Sequence, residues 1–307
     1  MNVQNIVYHD QQRNENKGFV HITTPLFYGA YKTSPNGLYS IACSDSDYYG
    51  ECSGFREYGH GRFALLSGQK ILLFDKMERP TDGQAADNGT FIINDLMFGD
   101  KLNGTFYAFD FKGNLLLKKS VNANLLNNGI SDNGRYACFQ TCHTENSPDA
   151  NSLFIYDLDS GEQISKFSPL SGWAKKYHFD AENNIIHLYS KDDKFYRYTF
   201  QGVFLDEEIW LHDREEGAKG YLAFDLAKEK AKSISTNNID DYKDVLFLLF
   251  HSFDESMSEH TQSRVNKLLG EIYLKCNNKD SAICYFEKAM ILDEKVGVKR
   301  LLSKLRS

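Results

Sequence analysis

Asn133-Gly134-Arg135-Tyr136-Ala137-Cys138 reads as a tight turn followed by a strand. Some fifteen residues later comes Leu153-Phe154-Ile155-Tyr156-Asp157-Leu158-Asp159-Ser160-Gly161-Glu162, an aromatic strand that runs into a second turn. Asn-Gly permits the positive φ a tight turn demands, and the β-branched and aromatic runs on either side suit a pleated, half-buried sheet. Working outward, the same pair of signals recurs. The turn-strand signal appears at Asn36-Gly37-Leu38-Tyr39-Ser40-Ile41, at Asn88-Gly89-Thr90-Phe91-Ile92-Ile93 and, more weakly, at Asn183-Asn184-Ile185-Ile186-His187-Leu188. In chain order the four copies start 52, 45 and 50 residues apart. The hairpin signal recurs at Phe106 to Leu115 and at Phe195 to Phe204, and Ile71-Leu72-Leu73-Phe74-Asp75 matches its first strand.

A repeat near 45 residues, with several short strands per copy, predicts small antiparallel sheets that must stack on one another to cover their faces. Over residues 18–215 the pattern resembles the β-propellers of the WD40 and quinoprotein-like superfamily. That resemblance implies a small propeller of four to five blades, the fifth from Phe19 to Tyr31. Gly59-His60 is followed by Phe74-Asp75 rather than Trp-Asp, so no subfamily is assigned. An open β-sandwich is the rival, and it would not need the repeat.

Beyond residue 215 the apolar period changes to that of a helix. Asp240-Asp241 precede Val245, Leu246, Leu248, Leu249, Phe250 and Phe253, and further helices are expected over 261–275, 279–292 and 296–305. The stretch 218–233 has features of both a strand and a helix and is read as a helix. Leu269, Gly270, Tyr273, Ala282, Phe286 and Ala289 stand at the spacings of one tetratricopeptide repeat, which this region resembles. Glu294 replaces the usual proline at its end, and Asn266 stands where a large aromatic is usual. The predicted organisation is therefore a polar segment 1–17, a β-propeller-like domain 18–215 and an α-helical, tetratricopeptide-like domain 216–307: a multi-domain β + α protein.

Of 307 residues, 41% are hydrophobic and 25% charged, which excludes wholesale disorder and fibrous repeats. Thirty-five Lys and Arg against 42 Asp and Glu leave a net charge of −7, a poor match for nucleic acid and a better one for a basic protein surface. The N-terminus lacks the apolar core of a signal peptide, and the longest compact apolar run, Val245 to Phe250, is far short of a membrane span. A soluble, cytoplasmic protein with reduced cysteines is expected, with no membrane partner.

Four groups invite a chemical reading. Asp45-Ser46-Asp47-Tyr48-Tyr49-Gly50 resembles the start of an EF-hand loop, but Arg56 stands where the bidentate Glu belongs. Cys138, Cys142 and His143 offer soft ligands without a fourth, so no metal is expected. Glu207-Glu208 and Glu215-Glu216 read as a charged connector. His178 and His187 are placed in strands or their loops. No nucleophile elbow, phosphate-binding loop, zinc-protease helix or dinucleotide fingerprint occurs, and neither a catalytic residue nor a cofactor is predicted. Asp45, Asp47, Tyr48, Tyr49, Glu51, Glu57 and Tyr58 form an acidic and aromatic cluster suited to a protein partner. The expected function is a non-catalytic protein-binding module, such as an immunity-type inhibitor that neutralises a basic toxin or effector. The alternatives are an assembly scaffold or adaptor, or a propeller enzyme acting on a glycan or peptide.

Overall fold

In the computed structural model, residues 5–10, 17–46, 59–96, 102–190, 193–254 and 257–306 are described. The chain divides into two compact units, Met1–Asp206 and Glu207–Ser307.

Among the described residues, the first unit holds four antiparallel sheets. The first comprises β1 (Ile6–Asp10), β2 (Lys17–Ile22), β3 (Phe27–Thr33), β4 (Ser40–Ser44), β5 (Gly61–Ser67) and β6 (Lys70–Met77), paired in chain order. β1 lies inside the stretch read as a polar extension; Ile6 is the apolar residue that draws it in, packing beside Val20 and Ile22. The second sheet comprises β7 (Pro80–Ala85), β8 (Phe91–Asp95), β9 (Gly104–Phe109) and β10 (Leu115–Val121). The third comprises β11 (Leu125–Ile130), β12 (Tyr136–Thr141), β13 (Leu153–Asp157) and β14 (Glu162–Phe167). The last comprises β15 (Lys176–Asp180), β16 (Ile185–Tyr189) and β17 (Phe195–Thr199).

Burial shows how the sheets cover one another. β8 and β12 are buried at every position, so neighbours cover both of their faces. Phe63 and Leu65 of the first sheet pack with Phe91 and Ile93 of the second. Ile92 and Phe106 of the second pack with Phe139 and Phe154 of the third, where the Phe106 and Phe139 rings lie 4.7 Å apart. Tyr136 of the third meets Phe179 and Phe200 around the fourth. The strands that come closest between sheets are the first ones, β7, β11 and β15, with β3 and β4 against β7. Glycine makes that approach possible. A Cβ on Gly83 would stand 3.3 Å from Cys43 Sγ, and one on Gly129 would stand 2.9 Å from the Tyr177 ring.

The repeated turns have a second role: they join the sheets. Within the turn at residues 34–39, Ser34 Oγ donates to Asn36 Oδ1, while Leu38 N–H donates to Asn36 Oδ1 and Tyr39 N–H to Ser34 Oγ. Ser131, Asn133, Arg135 and Tyr136 reproduce that network. Between turns, Asn36 N–H donates to Asp87 Oδ1 at 2.8 Å and Asn36 Nδ2 to Asp87 O at 3.1 Å. Asp87 N–H donates to Asp132 O at 2.8 Å, and Asn88 Nδ2 to Asn133 O at 2.9 Å. Three turns, from three successive sheets, form one ladder.

The second unit is helical: α1 (Glu207–Glu216), α2 (Gly220–Ser233), a 3-10 turn (Ile239–Tyr242), α3 (Lys243–His251), α4 (Glu259–Lys275), α5 (Lys279–Leu292) and α6 (Lys299–Arg306). The residues read as a charged connector are α1, whose first turn carries Glu207 and Glu208 at the positive end of the helix dipole. The stretch 218–233 is helical over α2. Ser258 caps α4 by accepting from Thr261 N–H, and Asn278 caps α5 by accepting from Ser281 N–H. Ala223, Phe224, Val245, Leu249, Val265 and Leu269 form the core across α2, α3 and α4. No helix among the described residues is long and apolar enough to cross a membrane.

Candidate functional site

Two helix faces in the second unit carry charge over an apolar floor. On α2, Phe224, Lys228, Ala231 and Lys232 recur at intervals of four, three and one, which places them on one stripe. On α4, His260, Arg264, Lys267, Leu268 and Glu271 do the same. The two stripes, with Asp293, Lys295 and Val296 after α5, line a groove of about 600 Å³. Five Lys and Arg side chains stand there against two carboxylates, in a chain whose net charge is −7.

The partners of these cations differ. Lys228 pairs with Asp225 at 2.7 Å and lies 4.8 Å over the Phe224 ring, which Arg264 also approaches at 5.9 Å. Lys267 Nζ donates to Val296 O at 3.2 Å. Asp293 accepts from Lys295 N–H and pairs with His260 Nδ1 at 2.9 Å, and these contacts hold its carboxyl below the usual range. Desolvation in the groove pushes the Glu271 carboxyl up, and Lys267 opposes it. Among the described residues, the ammonium groups of Lys232 and Lys295 have no ion-pair or hydrogen-bond partner. The arrangement suits recognition of an anion beside an apolar group.

Two other concavities lie among the described residues. One, of about 440 Å³, lies between the first two sheets and is lined by Phe63, Leu73, Tyr107 and Phe109 with Asp75, Glu78 and Asp95. Asp95 is buried there and accepts from the Glu78 and Arg79 backbone N–H groups at 3.2 and 2.7 Å, which fixes the link between β6 and β7. The other, of about 410 Å³, is lined by Phe250, Phe253, Tyr285 and Ile291 on the helical unit.

Of the acidic and aromatic cluster, only Asp45 is among the described residues; its carboxylate lies 3.5 Å from Arg79 Nε. Asp47, Tyr48, Tyr49, Glu51, Glu57 and Tyr58 lie outside the described residues, as does most of the EF-hand-like stretch. Burial pushes the Cys138 thiol well up, against the opposing Gly129 backbone hydrogen bond, and His143 Nδ1 contacts Asn151 Nδ2 at 3.0 Å. Cys138, Cys142 and His143 do not converge as a ligand set; among the described residues the group that does is His212, Asp213 and Glu216 on α1. His178 and His187 pair across β15 and β16 with rings 5.4 Å apart.

The six residues at tetratricopeptide spacing gather in the α4–α5 hairpin. Leu269, Ala282, Phe286 and Ala289 are fully buried, and Tyr273 stacks on Tyr285 at 5.4 Å. Gly270 faces the Phe286 ring so closely that a Cβ would lie 2.5 Å from Cε1. Asn266 is buried, its Nδ2 donating to Gln262 O.

The cationic groove was missed in the sequence because its residues come from three separate segments. The one signal available was the i, i+4 pair Lys228 and Lys232 beside Phe224, an ordinary solvated face when taken alone. No family model matches the chain, and no curated protein matches it.

Proposed function

We propose that this chain is a protein-binding module that acts by recognition rather than catalysis. The observation that carries this reading is the α2–α4 groove, where the Lys232 and Lys295 ammonium groups make no ion pair or hydrogen bond among the described residues and stand beside an apolar floor. In the same reading, the four stacked sheets form a small propeller-like body, and α4–α5 is a tetratricopeptide-like hairpin stacked between α2–α3 and α6. Both architectures offer broad surfaces for other proteins, which is an argument from analogy of fold. An adaptor holds several partners and an immunity-type inhibitor of a basic toxin holds one; a cationic groove favours the adaptor, since it does not complement a basic surface.

A photo-crosslinking amino acid at Ala231, which lines the groove, tests the proposal in the native cell. The expected result is a discrete adduct with a protein that mass spectrometry identifies and that, once purified, binds the chain directly. The same group at Leu115, an exposed residue of β10, should not give that adduct. Equal capture from both positions, or no direct binding by the purified protein, overturns the proposal.

A further inference from the structure

We infer that the segment held in the α2–α4 groove is an acidic peptide in extended conformation, with carboxylates at alternate positions and apolar side chains among those between. This rests on the protein-binding reading and names its partner's chemistry. The first argument is charge. Lys228, Lys232, Arg264, Lys267 and Lys295 outnumber Glu271 and Asp293, and Asp293 is already engaged by His260 and Lys295 N–H. The groove therefore has the sign opposite to that of the whole chain, so an acidic segment gains from local pairing what the net charge withholds at long range.

The second argument is spacing. Lys228 and Lys232 stand one turn apart on α2, an axial separation of about 6 Å. Side chains on one face of an extended chain repeat at about 6.7 Å, so alternate carboxylates meet successive lysines. The intervening side chains then point toward the α4 wall, where Leu268 stands beside Arg264 and Lys267. The Phe224 ring, with Lys228 and Arg264 over it, completes the apolar floor.

The third argument is cost. Among the described residues, Lys232 and Lys295 break no ion pair or hydrogen bond when a carboxylate arrives, though Lys295 also attracts Asp293, whereas Lys228 must share its charge with Asp225. These two are therefore the positions at which charge reversal should be felt most.

The probe is a fluorescein-labelled peptide of about eight residues, with Glu at alternate positions separated by Leu and Ser. Its binding to the full-length chain is followed by anisotropy at low ionic strength. The peptide should bind, weaken as salt is added, and lose about tenfold in affinity in the Lys232→Glu, Lys295→Glu double variant. The far-UV spectrum of that variant should match the unaltered chain, with melting lowered only slightly, since Lys232 in the last turn of α2 and Lys295 near Asp293 each lose a favourable charge contact. The same peptide with Lys in place of Glu should not bind. Absent binding, equal binding of the Lys peptide, unchanged affinity in the double variant, or displacement by a single-stranded oligonucleotide at lower concentration than by unlabelled peptide would each overturn the inference. A crosslinked and purified partner that contacts Ala231 through a segment without acidic residues would sink this inference and leave the protein-binding reading standing.

Discussion

Replacing Gly270 by Ala in α4 brings two effects of opposite sign into one measurement. In a helix interior, Ala is favoured over Gly by about 1 kcal/mol, because the unfolded glycine has more conformations to lose. Against this, the new methyl would stand 2.5 Å from Phe286 Cε1 and 2.6 Å from Cδ1. Non-bonded carbons settle at about 3.5–4.0 Å, so about 1 Å must be found by moving α5 or the ring. Phe286 is fully buried with Ala282, Val298 and Leu302, so any shift of the ring displaces packed neighbours. Overpacking a filled core costs about 1–3 kcal/mol, and here it exceeds the propensity gain, for a net loss of about 1–2 kcal/mol. With a urea slope near 1–2 kcal/mol/M for a unit of this size, the helical transition at 222 nm should move down by about 1 M. Phe286→Leu in the same chain should recover part of that shift, a coupling that independent sites would not show. An unchanged or raised midpoint for Gly270→Ala alone would mean that the two helices are not packed through this glycine, and the account of the hairpin would fail.

Asn88→Ala should lower the stability of the β unit by about 1–2 kcal/mol, because the side chain both accepts from Thr90 N–H and donates to Asn133 O; strand-specific hydrogen exchange should show the loss spreading into β12, beyond the mutated sheet. Asp206 is buried and takes a two-pronged contact from Arg197, with Nη2 at 2.6 Å from Oδ1, and this pairing lowers its carboxyl below the usual range. Its stabilisation is therefore complete above the unfolded value of about 3.9 and disappears as pH falls through the lower folded value. The urea midpoint of the β unit should be flat above about pH 5 and decline below about pH 4, with a shallower decline in Asp206→Asn; because Arg197 is partly exposed, the effect should stay below about 1 kcal/mol.

How much of this could be read from residues alone follows from the range of the forces involved. Turns are local, and the Asn-Gly pairs at 36, 88 and 133 each sit at a positive-φ glycine, where their sequence placed them. Amphipathic period is local too, which is why α3, α4 and α5 were legible from their apolar stripes. β1 was not, because Ile6 is isolated among polar residues until β2 and β3 fold back and give it Val20 and Ile22 as neighbours. The same limit hid the ladder: nothing near Asp87 in the chain announces that its carboxylate meets Asn36 N–H. It hid the groove as well. Lys295 lies far along the chain from Lys232, and only the folding of α2, α4 and the segment after α5 around one cavity brings them together. The acidic and aromatic residues between Asp45 and Tyr58, by contrast, drew attention as a contiguous cluster.

The ladder of turns concentrates the joining of three sheets on one short segment. The central turn, at Asp87 and Asn88, receives from the sheet before it and gives to the sheet after it, like a carriage with a hook at one end and an eye at the other. The two joints differ in their chemistry, since the first ends on the Asp87 carboxylate and carbonyl and the second on the Asp132 and Asn133 carbonyls. Removing the central turn would therefore undo the joints to the first sheet and to the third in one step.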